Sequence, residues 1–140
     1  MKGLDSLIRV HKWKLDEKRR ELADFENLRA GFVKQLRALE DEQQREQDVA
    51  GNNFEVGFSF ANYAAAAKRQ RENIQASIED VDAKIAELNV EVTVCYQDLK
   101  KYQVALDARK VKEKYERDRI EQMGLDELAI ELHRRKERMR

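Results

Sequence analysis

The residues able to carry chemistry are few and scattered. The chain has 140 residues with two histidines, one cysteine, five glycines and no proline. A histidine base needs a nucleophile or a carboxylate partner within reach, yet His11 falls among regularly spaced apolar residues and reads as a core-edge residue. His133 stands in the basic run HRRKERMR. Cys95 lies in an unbroken apolar series, where a free thiol behaves as a small hydrophobe. A single cysteine forms neither an intrachain disulfide framework nor a cysteine metal cluster. The glycines are too far apart for a phosphate-cradling loop. Carboxylates abound, but a thin helical object has no pocket in which to bury a pair and raise one pKa. The expectation is a protein that is not an enzyme and carries no cofactor and no metal. Trp13 lies off the apolar series and is a lone aromatic.

Composition constrains the elements. Charged residues make up 40% of the chain and hydrophobic ones 41%, with 28 basic groups balancing 28 acidic ones. The mean hydropathy is −0.85. Without proline, and with few glycines, an all-β fold with frequent turns is excluded, and the composition suits long helices. Nothing approaches the ~18 unbroken apolar residues of a membrane span. Residues 1–15 lack the apolar core of a secretory signal. A soluble cytoplasmic protein of one domain is expected.

Periodicity supplies two seams. Steps of four and three from Leu4 pass through Ile8, His11, Leu15, Lys18, Leu22, Phe25, Arg29, Phe32, Leu36 and Leu39. A second series runs Ile74, Ile78, Val81, Ile85, Leu88, Val92, Cys95, Leu99, Tyr102 and Leu106. Both follow the a/d spacing of a coiled coil. Between them Gly51-Asn52-Asn53 reads as a helix stop with a left-handed C-cap. Ser59 reads as an N-cap, with Phe58 and Tyr63 spaced as a hydrophobic staple. The spacing predicts helix 1 over about 3–50, a loop over about 51–58 and helix 2 over about 60–122. Gly124 is expected to end helix 2, leaving 124–140 as a short helix or a disordered basic tail.

Folding back on the loop pairs Leu15 with Cys95, Leu22 with Leu88, Phe25 with Ile85, Phe32 with Ile78 and Leu36 with Ile74. The second seam ends at Leu106, where helix 1 runs out of partners. A parallel homodimer does not account for that match and stacks Lys18 on Lys18 and Arg29 on Arg29. The antiparallel hairpin sets these two opposite Val92 and Val81, where their stems can snorkel outward. The predicted fold is therefore all-α, an antiparallel two-helix coiled-coil hairpin with an overhanging C-terminal helix.

Two regions are not used by the seam. Near the turn, Phe54, Phe58, Phe60 and Tyr63 precede Ala64-Ala65-Ala66-Ala67. The aromatics either close the end of the hairpin or form an exposed patch for a partner, with the alanines as a flat landing site. At the other end, residues 107–122 overhang without a facing helix and are too charged to be buried. Residues 101–140 carry 12 basic and 9 acidic groups, whereas 51–100 carry 5 and 8. The base of the hairpin, with Arg9, Lys12, Arg19, Lys110 and Lys112, is basic and the turn end mildly acidic.

The stretches LDSLIRVHKWKLDEKRRELADFE and LKKYQVALDARKVKEKYERDRIEQMGLDELA, with the overhanging hairpin, resemble the FliJ family of the bacterial flagellar type III export apparatus. The resemblance spans nearly the whole chain. It implies a non-enzymatic stalk whose terminal end enters the hexameric export ATPase and promotes ring assembly. Arg9, Lys12, Arg19, Lys110 and Lys112 would serve that end. It implies that the turn end, at Phe60, Asn62 and Tyr63, contacts an export gate membrane protein, and that export chaperones are further partners. The implied location is cytoplasmic, peripheral to the inner membrane at the flagellar base, with no membrane insertion. Glu40-Asp41-Glu42-Gln43-Gln44 departs from the family pattern, which often has tyrosines there. Two other readings of the residues are a tether unrelated to secretion and a nucleic-acid-binding helical arm. The second has a poor electrostatic footprint, because the net charge is zero and no basic stripe runs along the helices.

Overall fold

The computed structural model describes residues 2–51 and 54–139, and the side chains of 3–49, 51 and 60–139. The chain is all-α. Helix α1 spans Lys2–Ala50 and helix α2 spans Phe54–Arg138, and the two pack antiparallel. Their packing divides the chain into two compact units.

One unit comprises Trp13–Tyr96. Its core is a single line of side chains in which Leu15, Leu39, Ala67, Val81 and Leu88 are buried, Leu88 completely. Leu22, Phe25, Phe32, Leu36, Ile74, Ile78, Ile85 and Val92 are half-buried beside them. Each leucine fully withdrawn from water contributes about 1.5–3 kcal/mol. With only two helices, most seam positions keep one side in solvent and contribute less. Cross-helix pairs run in opposite senses along the two helices: Lys18 with Glu91, Arg29 with Asp82, and Gln43 with Arg71.

The other unit comprises Met1–Lys12 and Gln97–Arg140. Here Ile8 and Leu99 are buried, and Leu4 and Leu106 are half-buried. His11 stacks on Tyr102, with ring centroids 4.7 Å apart and planes at 28°. The predicted register set His11 opposite Leu99, so the imidazole meets the next seam residue along α2. From residue 107 to 130 every residue of α2 is exposed.

Three sequence expectations are corrected. Gly51 does not form a left-handed cap. No described residue has a positive φ, and the Gly51 N–H donates to the Gln47 carbonyl at 3.0 Å, continuing the helical pattern. Helix α2 begins at Phe54 rather than near 60, so Ser59 lies inside the helix and not at its cap. Helix α2 also runs through Gly124 to Arg138 instead of stopping near 122. Helix α1 does end at Ala50, as the spacing predicts, and at Ser59 and Gly124 one physical reason accounts for the difference. A glycine or serine disfavours helix by at most about 1 kcal/mol, and extending an existing helix is cooperative. The expected aromatic cluster at Phe54 and Phe58 lies outside the described side chains.

The helical glycines offer a direct check. A Cβ built at the exposed Gly31 meets nothing within 4 Å. Gly31→Ala should therefore stabilise the protein by roughly 0.5–1 kcal/mol, through the lower entropy of its unfolded chain. Urea denaturation followed by circular dichroism measures this. A loss of stability would show that position 31 is not an open helical site.

Candidate partner-binding surfaces

The turn end of the Trp13–Tyr96 unit gathers the first group of sequence-proposed residues. Phe60 and Tyr63 are three residues apart and share a face of α2, with ring centroids 6.2 Å apart and planes tilted by 35°. Both are half-buried, while Asn62 between them is exposed. The Tyr63 hydroxyl is shielded from solvent and makes no hydrogen bond of good geometry. Loss of hydration pushes the Tyr63 phenol above its usual range, and the Glu42 carboxylate on α1, with Glu46 beyond it, adds to the shift. The alanine run divides between its two readings. Ala67 is buried and Ala64 half-buried, bringing the helices together, whereas Ala65 and Ala66 face solvent.

The basic residues of the second group are distributed over both units. Arg9, Lys12, Lys110 and Lys112 belong to the unit built from 1–12 and 97–140, and all four are exposed. Lys12 shares a groove there with Lys100, Gln103, Val104 and Asp107, floored by Ile8 and Leu106. Arg19 lies in the Trp13–Tyr96 unit and is also exposed. Lys18 does not simply snorkel past Val92. Its ammonium reaches Glu91 at 3.0 Å and Glu21 at 3.6 Å, and the hydrogen bond to Glu91 raises its pKa. Arg29 likewise bonds Asp82 at 2.5 Å rather than passing over Val81. Each acidic partner adjoins the valine expected opposite the cation, so alternating charge beside the seam was the available signal.

Sequence reading missed one further surface and broke a second, the overhang of α2, near residue 122. An open groove of about 580 Å³ is lined by Trp13, Lys14, Lys18, Arg20, Asp24 and Cys95. Trp13 is 63% exposed on its rim. Its signal was the proximity of position 13 to Leu15, which faces Cys95 in the predicted pairing. The second is α2 beyond residue 107, where Val111, Tyr115, Ile120, Met123, Leu125, Leu128, Ile130 and Leu132 are all more than half exposed. The expected break at Gly124 concealed its continuity. Among the described residues no polar or charged side chain is buried, and no three His, Cys, Asp or Glu side chains are grouped to hold a metal ion. Among the described residues no helix is long and apolar enough to cross a membrane. These surfaces can dock other molecules through apolar stripes edged with charge.

The family model described as "Flagellar FliJ protein" matches residues 1–138. The chain is 23% identical over 125 residues to a protein named "Flagellar FliJ protein" from Caulobacter vibrioides (strain NA1000 / CB15N), which covers 89% of this chain and 90% of that protein. The protein of the same name from strain ATCC 19089 / CIP 103742 / CB 15 matches to the same extent. No solved structure matches the chain.

The environment of Tyr63 makes a measurable difference in alkaline solution. A titration of phenolate absorbance should show a late phase from Tyr63, and Tyr63→Phe should remove it. Its folded-state pKa is raised above the ordinary value of 10.0. The corresponding stability is thus fully present below pH ~10 and is lost as pH rises through the folded value. A late phase that survives Tyr63→Phe would contradict the assignment.

Proposed function

The chain belongs to the flagellar FliJ protein family, and from that premise we propose that it is a non-enzymatic stalk of the flagellar type III export apparatus. Its terminal end inserts into the hexameric export ATPase and promotes ring assembly. The observation that carries this reading is the long C-terminal part of α2, helical to Arg138 and exposed from 107 to 130. A helix that holds its apolar side chains in water suits a partner that surrounds it. The exposed cations Arg9, Lys12, Arg19, Lys110 and Lys112 would meet acidic groups on the ring, speeding encounter and orienting entry.

The turn end would engage a different partner, an export gate membrane protein, through Phe60, Asn62 and Tyr63. The paired rings of Phe60 and Tyr63, with the exposed Asn62 amide between them in sequence, support this assignment, since they set apolar surface beside a polar group that can fix orientation. Export chaperones are further partners of the same kind of surface. The protein would then act in the cytoplasm, peripheral to the inner membrane at the flagellar base. The absence of net charge argues against the nucleic-acid arm, and the family argues against a tether unrelated to flagella.

Removal of the overhang tests the ring assignment. The full chain should stimulate ring formation and ATP turnover by the cognate export ATPase, and truncation before Asp107 should weaken both severalfold. Circular dichroism would confirm that the Trp13–Tyr96 unit remains helical in the truncated chain. No stimulation by the full chain at any ratio would overturn the reading, as would a truncated chain as active as the full one.

A further inference from the structure

Beyond Leu106 the seam positions of α2 become Arg109, Glu113 and Glu116, and a different apolar stripe takes over. Steps of three and four pass through Ala108, Val111, Tyr115, Asp118, Gln122, Leu125, Ala129 and Leu132. All are exposed on one continuous helix, with Val111 at 70%, Tyr115 at 68% and Leu125 at 60%. A stripe repeating at this spacing has the pattern of a coiled-coil seam. No described side chain of α1 covers it between 107 and 130, where every residue is exposed, because the numbering of the first seam exhausts α1 at Leu106.

The charges flanking the stripe are arranged in blocks. Residues 109–119 hold six Lys or Arg against three acidic residues, whereas 120–132 hold four acidic residues and no Lys or Arg. We propose that the free protein self-associates through this stripe, with α2 of a second copy lying antiparallel and the two-fold axis near residue 120. That register sets the basic block of each copy against the acidic block of the other. It brings Ala108 opposite Leu132, Val111 opposite Ala129 and Tyr115 opposite Leu125, so two of the three apolar layers combine a small residue with a larger one. Asp118 falls opposite Gln122 on both sides of the axis, two central polar layers that specify register at some expense of stability. Beside the seam, Lys112 lies next to Asp126 of the second copy. A parallel pair would set like block on like block and Asp118 on Asp118.

The pairing is weak and reversible. At the axis Arg119 approaches its own copy, and so does Glu121. Arg119 is partly neutralised by Glu116 on its own helix at 3.2 Å. The interface is narrow and its charges are solvated, which screens them in salt. The inference does not depend on the export reading. If both hold, self-association covers the face that enters the ring, and the two partners compete.

Sedimentation equilibrium of the full chain in low salt tests this. Dimers should form at micromolar concentration, and Leu125→Lys should leave monomer. Lys112→Glu and Asp126→Lys should each weaken the dimer several-fold (~3–10-fold per pair of reversed contacts), and the double variant should restore it. Helix content by circular dichroism should be unchanged in the charge variants. A monomer at every concentration would overturn the proposal. So would a dimer indifferent to Leu125→Lys, or a double charge variant no tighter than the singles.

Discussion

A pair of helices can bury only one line of side chains on each, and the rest of this protein follows from that limit. Leu88 is completely buried and Leu15 and Ala67 nearly so, but the neighbouring seam positions are only half covered. The hydrophobic gain per residue is thus small, and it must be collected over many layers. Length replaces thickness. Any interruption that ended one helix early would remove the layers beyond it, so the absence of proline and the tolerance of glycine at 31 and 124 serve the same constraint.

Charge beside the seam adds direction more than strength. Lys18 reaches Glu91 and Arg29 reaches Asp82 across the pair. All four side chains are at least a third exposed, and exposed pairs of this kind contribute about 0–1 kcal/mol. Their larger effect is on register, since a slip along the seam would break both at once and set cations against valines. His11 on Tyr102 extends the same logic in the other unit, where an aromatic stack replaces an ion pair. Where α1 ends its cover, at Leu106, the apolar residues of α2 change face. That change separates the part of α2 packed against α1 from the part left exposed.

The seam was legible in the sequence because a four-three repeat over many turns reflects burial directly. Leu15, Leu88 and Leu99 fell where the repeat put them. The end of α1 at Ala50 was legible from Gly51, but the two ends of α2 were not, since Ser59 and Gly124 carry only local preferences, which a cooperative helix overrides. The second stripe was hidden by Asp118, Gln122 and Gly124, which interrupt it with polar or small residues. Phe60, Asn62 and Tyr63 could be named from the family pattern, but the shielded hydroxyl of Tyr63 and its neighbour Glu42 come from opposite helices and needed the three-dimensional pairing. In the sequence Trp13 is a lone aromatic, and only the packing of the two helices shows that it borders a groove with Cys95.

The central claim is that the seam is closed within one chain by antiparallel helices. Leu22→Cys with Leu88→Cys, in a chain whose Cys95 is replaced by alanine, tests it most directly. Under dilute oxidising conditions the paired positions should form a disulfide within a single chain, seen as a monomer of altered mobility on a non-reducing gel. Crosslinks found only between chains would contradict the antiparallel pairing and everything built on it.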